Sequence, residues 1–404
     1  MSANPSTASL TNRWDLNSAA NTSLKAAAGF WFVVAVMGQW IFVFYIASFY
    51  GVSSVRGHVG VWNKTLAQGW MPGNTIGNTA LAAHLLFAAL ITLSGALQLA
   101  PQIRGRVPIF HRWNGRFYVV VAFTMGLSGL YLLFSGRKVV GDFTQHLSFG
   151  INGILILVCA AMAWRHAVAR DFKTHRQWAL RLFLVVSGVW FFRVGLMFWL
   201  LLNKGPVGFD PATFQGPFIT FLSFAQYLLP LGMLEIYLRT QDRAGTLGRF
   251  ATGASLFVLT LVMGLGIVGA TMTMWAPRIK AAYDNRTSIA DTLAATIASS
   301  GVDQAVQQYH DLKSASLATY NFDEAELNAL GYQLIKGNKF KEAIRIFQLN
   351  VEAYPHSANT YDSLAEGYMD DGNRVLALTN YQRSLELNPK NHNAIQMLRA
   401  LNAQ

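Results

Sequence analysis

Residues 147–164 read L-S-F-G-I-N-G-I-L-I-L-V-C-A-A-M-A-W, an uncharged run between His146 and Arg165. A helix rises 1.5 Å per residue, so about 20 apolar residues cross the roughly 30 Å hydrocarbon core of a bilayer. Further windows of this kind lie near 28–50, 79–100, 117–135, 178–202, 217–238 and 254–276. The chain is therefore expected to be all-α. A polar leader (1–27) precedes a seven-span transmembrane helical bundle (28–276), a linker (277–288) and a second helical region (289–404).

The leader is rich in Ser, Asn and Thr, with Arg13 and Lys25 its only basic residues. The apolar run behind it is too long for a removable signal peptide and lacks a small-residue cleavage pattern, so it reads as a retained anchor. Orientation follows from Lys and Arg in the short loops, which mark the cytoplasmic side. Arg104, Arg106, Arg112 and Arg116 cluster in the second loop. The fourth holds Arg165, Arg170, Lys173, Arg176 and Arg181, and the sixth holds Arg239, Arg243 and Arg249. The opposite loops carry only Arg56, Lys64, Arg137, Lys138 and Lys204. This places the amino terminus in the cytoplasm and the region beyond the seventh span outside, although Arg278, Lys280 and Arg286 run against the last step.

Residues 1–276 contain 20 Lys/Arg against 6 Asp/Glu, whereas 277–404 contain 12 against 14. The basic balance is thus a topology signal, and the partner it implies is the lipid bilayer, with no nucleic acid. The single cysteine, Cys159, lies inside a span, which excludes a disulfide framework, a paired-cysteine metal site and covalent haem attachment. A phosphate loop, a G-x-S-x-G elbow and an H-E-x-x-H motif are absent from the sequence, so whether the chain is an enzyme stays open.

After residue 285 the pattern becomes amphipathic helical pairs repeating every 34 residues, from Leu330 to Leu364, Ala343 to Ala377, Phe347 to Tyr381 and Pro355 to Pro389. Small residues at Gly331/Ala365 and Ala343/Ala377 let paired helices approach closely. This pattern resembles the tetratricopeptide repeat, which implies a helical solenoid that binds protein, with Tyr361 and Tyr368 on the inner helices as candidate contacts. Ala305 and Tyr309 echo the second helix and supply a divergent third unit, because two units alone cannot cover their apolar faces. Residues 391–401 cap the stack.

Polar groups at membrane depth are costly without partners, so each one is a candidate for function. His84 and His146 fall at the outer ends of their spans, and Arg193 and Glu235 lie within theirs. Gln39, Gln98 and Gln226 suit interhelical hydrogen bonding. His111 and His175 sit in echoing strings, V-P-I-F-H-R-W-N-G-R-F-Y and D-F-K-T-H-R-Q-W-A-L-R, at the opening turns of two spans. Each is followed by Arg112 or Arg176 and then by Arg116 or Arg181, giving two basic clusters suited to haem propionates or lipid phosphates. His58 and His166 read as ordinary boundary histidines.

A-H-L-L-F-A-A-L, G-A-L-Q-L, H-R-W-N-G-R-F-Y and H-R-Q-W-A-L-R, with the later Arg193, together resemble the bacterial membrane family called domain of unknown function 2306, over residues 75–240. That resemblance implies a multi-pass protein of the bacterial inner membrane and no particular activity. The histidines on four consecutive spans are more distantly similar to those of di-haem b-type cytochromes. That likeness implies two b-type haems, one held by His84 and His146 and the other by His111 and His175. Arg193 would then neutralise an outer propionate, a quinol or another donor would supply electrons, and the acceptor would lie outside. The alternative is a non-catalytic membrane scaffold or sensor that presents a peptide-binding repeat domain. A single outer haem, a metal site and no cofactor at all also stay open.

Overall fold

The computed structural model describes residues 5–57, 59–65, 70, 74–134, 141–211, 213–284 and 286–402; His58, Arg137 and Lys138 lie outside them. The chain forms two compact units, Met1–Tyr283 and Asp284–Gln404. Apart from one two-residue parallel pairing, Thr287–Ser288 with Tyr320–Asn321, and an isolated bridge from Asp210 to Gln215, the described residues are helices and their connections.

The first unit contains α1 (Pro5–Ile46), α2 (Thr75–Leu99), α3 (Pro108–Phe134), α4 (Phe143–Val168), α5 (Phe172–Val186), α6 (Gly188–Asn203), α7 (Pro217–Arg243) and α8 (Thr246–Ala270). Among the described residues five helices are long and apolar enough to cross a membrane, and α5 with α6 makes a sixth if the bent pair counts as one span. The protein is a multi-pass membrane protein. Asn74, Asp142 and Asp171 cap α2, α4 and α5 through their side-chain oxygens, satisfying amide donors that have no partner within the helix.

Two features differ from the sequence reading. First, much of the polar leader is helical, since neither glycine nor proline interrupts the chain between Pro5 and Gly29. Ala20 and Leu24 are buried, and a Cβ built on Gly253 of α8 would stand only 3.5 Å from Leu24 Cα. Second, the span expected over 178–202 is broken, with a bend of 53° between α5 and α6. Ser187 Oγ donates back to Phe183 O at 2.7 Å and accepts from Gln39 Nε2 at 2.9 Å. Asn152 Nδ2 reaches Val185 O at 3.3 Å. These bonds come from α1 and α4, so they satisfy backbone and hydroxyl groups at a break in the middle of the bundle.

Small residues set the spacing of the remaining helices, as expected where dispersion rather than hydrophobicity drives association. A Cβ on Gly266 of α8 would fall 2.3 Å from Val194 O of α6. Tyr118 of α3 and Phe183 of α5 close on Gly95 of α2.

The second unit stacks α9 (Ile289–Ser300), α10 (Val302–Ala315), α11 (Glu324–Lys336), α12 (Phe340–Ala353), α13 (Ala358–Asp370), α14 (Arg374–Leu387) and α15 (His392–Asn402) as helical pairs without membrane spans. The first helices begin at Glu324, Ala358 and His392, and the second at Phe340 and Arg374, in each case 34 residues apart. Leu293, Ala305 and Tyr309 share one core with Leu330 and Phe347, so the divergent pair α9–α10 covers the face that α11–α12 would otherwise expose. Ala394 and Leu401 of α15 pack against Ala377 and Tyr381 at the other end.

Gly331 is where the repeat packing is tightest, since an added Cβ would lie 2.3 Å from the Phe347 ring. Gly331→Val is expected to destabilise this unit by about 1–3 kcal/mol through overpacking. Hydrogen exchange of the full-length protein reads this as lost protection over residues 324–353; unchanged protection would contradict it. Burial also pushes the Asp362 and Glu366 carboxyls above the usual carboxylate range, although amide and phenol donors oppose the shift. The folded unit therefore holds these protons more tightly than the unfolded chain, so their contribution is present at low pH and lost as pH rises through the raised values. Protection over 358–402, corrected for intrinsic exchange, should be greater at pH 5 than at pH 7.5, and the opposite order would refute the assignment.

Candidate functional site

The echo between the strings around His111 and His175 has a structural counterpart. Arg116 lies 4.9 Å from the Trp113 ring on α3, and Arg181 lies 4.9 Å from the Trp178 ring on α5. The echo ends there, because Arg181 also binds Glu235 of α7, its Nε donating to Oε1 at 2.8 Å. Arg116 instead faces a cavity.

That cavity measures about 1300 Å³ and is lined by both His111 and His175. Its apolar wall comes from residues such as Trp31, Tyr118, Leu182, Met233 and Met263. Lys25, Arg104, Arg112, Arg116, Arg170 and Arg176 also line it, and among the described residues no Asp or Glu does. All six of these cations are exposed.

The two imidazoles are held differently. His175 Nδ1 stands 2.9 Å from Ala163 O, a bond that fixes the proton on Nδ1 and leaves the Nε2 lone pair free. His111 Nε2 is 3.4 Å from Gln98 Nε2, and its Nδ1 is buried with no partner. Gln98 is itself positioned by Asn114, whose Nδ2 donates to Gln98 Oε1 and to Ser94 O, both at 3.0 Å. Asn114 was not singled out by the sequence reading, although it stands inside the H-R-W-N-G-R string. His111 also lies within electrostatic range of Arg104 and His175.

The outer candidates fall elsewhere, and the cavity reaches neither His84 nor His146. The charged neighbour of His84 is Arg193 of α6, and His84 Nδ1 is buried without a partner. His146 Nε2 is likewise buried and unpartnered. Next to it, Gln145 Nε2 donates to Phe214 O at 3.3 Å and Ser148 Oγ to Ser223 O at 2.6 Å, tying that end of α4 to α7 and the loop before it. Among the described residues no group of three or more His, Cys, Asp or Glu side chains could hold a metal ion. In the second unit, Tyr361 stacks beneath Arg383 at 5.8 Å, while Tyr368 Oη accepts from Gln348 Nε2 at 3.0 Å and packs against both cores.

Residues 81–229 match the family model described as "Predicted membrane protein (DUF2306)". The matched stretch runs from α2 into α7 and contains His84, His111, His146, His175 and Arg193. No curated protein matches the chain. The family description agrees with the spans and attaches no activity to them.

Because Asn114 joins α3 to α2 through two hydrogen bonds, Asn114→Ala is expected to cost about 1–2 kcal/mol. Thermal unfolding of the purified protein in detergent checks this. An unchanged transition would mean that the Asn114–Gln98 chain does not hold the His111 side of the cavity.

Proposed function

We propose that this multi-pass membrane protein transfers electrons through a b-type haem held between His111 and His175 in the inner cavity. One observation carries the reading. Two imidazoles line one largely apolar cavity that six Lys and Arg residues also line and, among the described residues, no carboxylate does. The site fits the group on its own chemistry: His175 presents a free Nε2, His111 has a buried nitrogen without a partner, and the cationic lining complements propionates. Held by His111 and His175, a b-type haem would supply one-electron transfer.

This chain's own residues orient and insulate. The Ala163 carbonyl fixes the His175 tautomer, Gln98 restrains the His111 ring, and Tyr118, Leu182 and Met263 keep the interior apolar. Arg112 and Arg176, exposed like the other four cations of the lining, would meet the propionates where charge is cheap to hold.

In this reading the chain crosses the bacterial inner membrane seven times, α3 being the further span, with its amino terminus cytoplasmic and its second unit outside. A quinol or another donor would reduce the site. The second unit, as a tetratricopeptide-like stack, would dock a protein acceptor. The resemblance to di-haem cytochromes extends the same role to His84 and His146. The observation that carries the inner haem has no counterpart around that pair, so the inner site is the one to test.

Purified from haem-replete cells, the protein is expected to show a Soret band and a low-spin alpha band. Both should be lost or strongly reduced in His175→Ala and His111→Ala at unchanged folding. A colourless, well-folded preparation would remove the proposal and favour an anchored scaffold.

A further inference from the structure

Arg193 stands on α6 of the membrane unit with no counter-ion among the described residues. Its guanidinium stands 5.4 Å over the Phe42 ring, and Nη1 donates only to Val189 O at 3.3 Å, within its own helix. The charges nearest to it are a second cation, Arg278, and the neutral phenols of Tyr45 and Tyr50. Arg278 lies within electrostatic range of Tyr45 and Arg193 and forms no ion pair among the described residues. His84 completes the group, its charged neighbour being Arg193.

The surroundings are short of acceptors. Trp275 packs 5.4 Å from Phe42 in the same aromatic cluster as Trp190, and both indole Nε1–H groups are buried with no acceptor. The acids of residues 1–276 are committed elsewhere or lie at the surface. Asp142 and Asp171 cap helices, Asp210 holds Thr213, Glu235 holds Arg181, and Asp242 is exposed; the Asp15 side chain is outside the description. Arg193 and His84 are nevertheless only half-buried, so neither is sealed inside the protein.

We infer that Arg193, Arg278 and His84 form an oxyanion site, for a carboxylate or a phosphate, separate from the inner cavity. Clustered cations at membrane depth repel one another and lose hydration, and an anion relieves both costs. Guanidinium forks match carboxylate and phosphate oxygens in pairs, and the free indole and imidazole N–H groups extend the same donor set. The anion could be a free solute or the phosphate of a lipid headgroup.

The test is thermal unfolding of the full-length protein in phosphatidylcholine nanodiscs, titrated with sodium acetate or sodium phosphate at constant ionic strength. A second arm replaces part of the lipid with phosphatidylglycerol. A saturable rise in melting temperature with soluble anion supports a free ligand. A rise only with phosphatidylglycerol supports a headgroup. In either case Arg193→Gln should weaken the apparent affinity at least about tenfold. It should also melt at or above the wild-type temperature in anion-free phosphatidylcholine, which a purely structural arginine would not do. If Arg193→Gln does not fold, Arg278→Gln gives the same readout. Melting temperatures insensitive to anions in both arms, or equally sensitive in wild type and variants, would overturn the site.

Discussion

Carboxylates are scarce in the membrane unit, and this constraint governs its chemistry. Residues 1–276 hold 20 basic side chains and 6 acidic ones. The acids that contact other groups cap helices, close a loop or hold Arg181, and none of them faces the inner cavity or the Arg193 cluster. Inside a low-dielectric bundle an uncompensated cation costs several kcal/mol unless water, lipid phosphate or a bound anion meets it. Loop arginines have water and headgroups. The cavity arginines are themselves exposed, whereas Arg193 of α6 is half-buried and has no ion pair among the described residues, so a bound anion matters most there.

The fold was largely legible in the sequence because its signals are local. Apolar run length predicts seven spans, of which five, or six with the bent α5–α6 pair, are found among the described residues, and the 34-residue period specified the helical pairs, down to the close approach at Gly331 and the buried Ala343, Ala377 and Tyr381. What was not legible depends on distant partners. The break between α5 and α6 uses Ser187 and Gly188, but Gln39 and Asn152, from other helices, satisfy it. Nor does leader composition reveal that Ala20 and Leu24 are buried, since that needs the close approach at Gly253.

The site divides in the same way. His111 and His175 announce themselves through paired strings with matching arginines, and they do line one cavity. Divergence between the strings carries equal information: Arg116 stays in the cavity lining while Arg181 binds Glu235. For His84, alternation along the chain suggested His146, whereas the charged neighbour is Arg193 on the broken span. Helix order cannot say which faces meet, because the bend between α5 and α6 redirects everything beyond Ser187.

The account rests on what lies between His111 and His175 in the protein as isolated from its membrane, and a high-resolution cryo-electron microscopy map of the full-length chain in native lipid reads this directly. It should contain flat, iron-centred density with both imidazoles directed at it and the arginines of the cavity near its polar edge. Acyl-chain density or packed side chains in that volume would contradict the redox account.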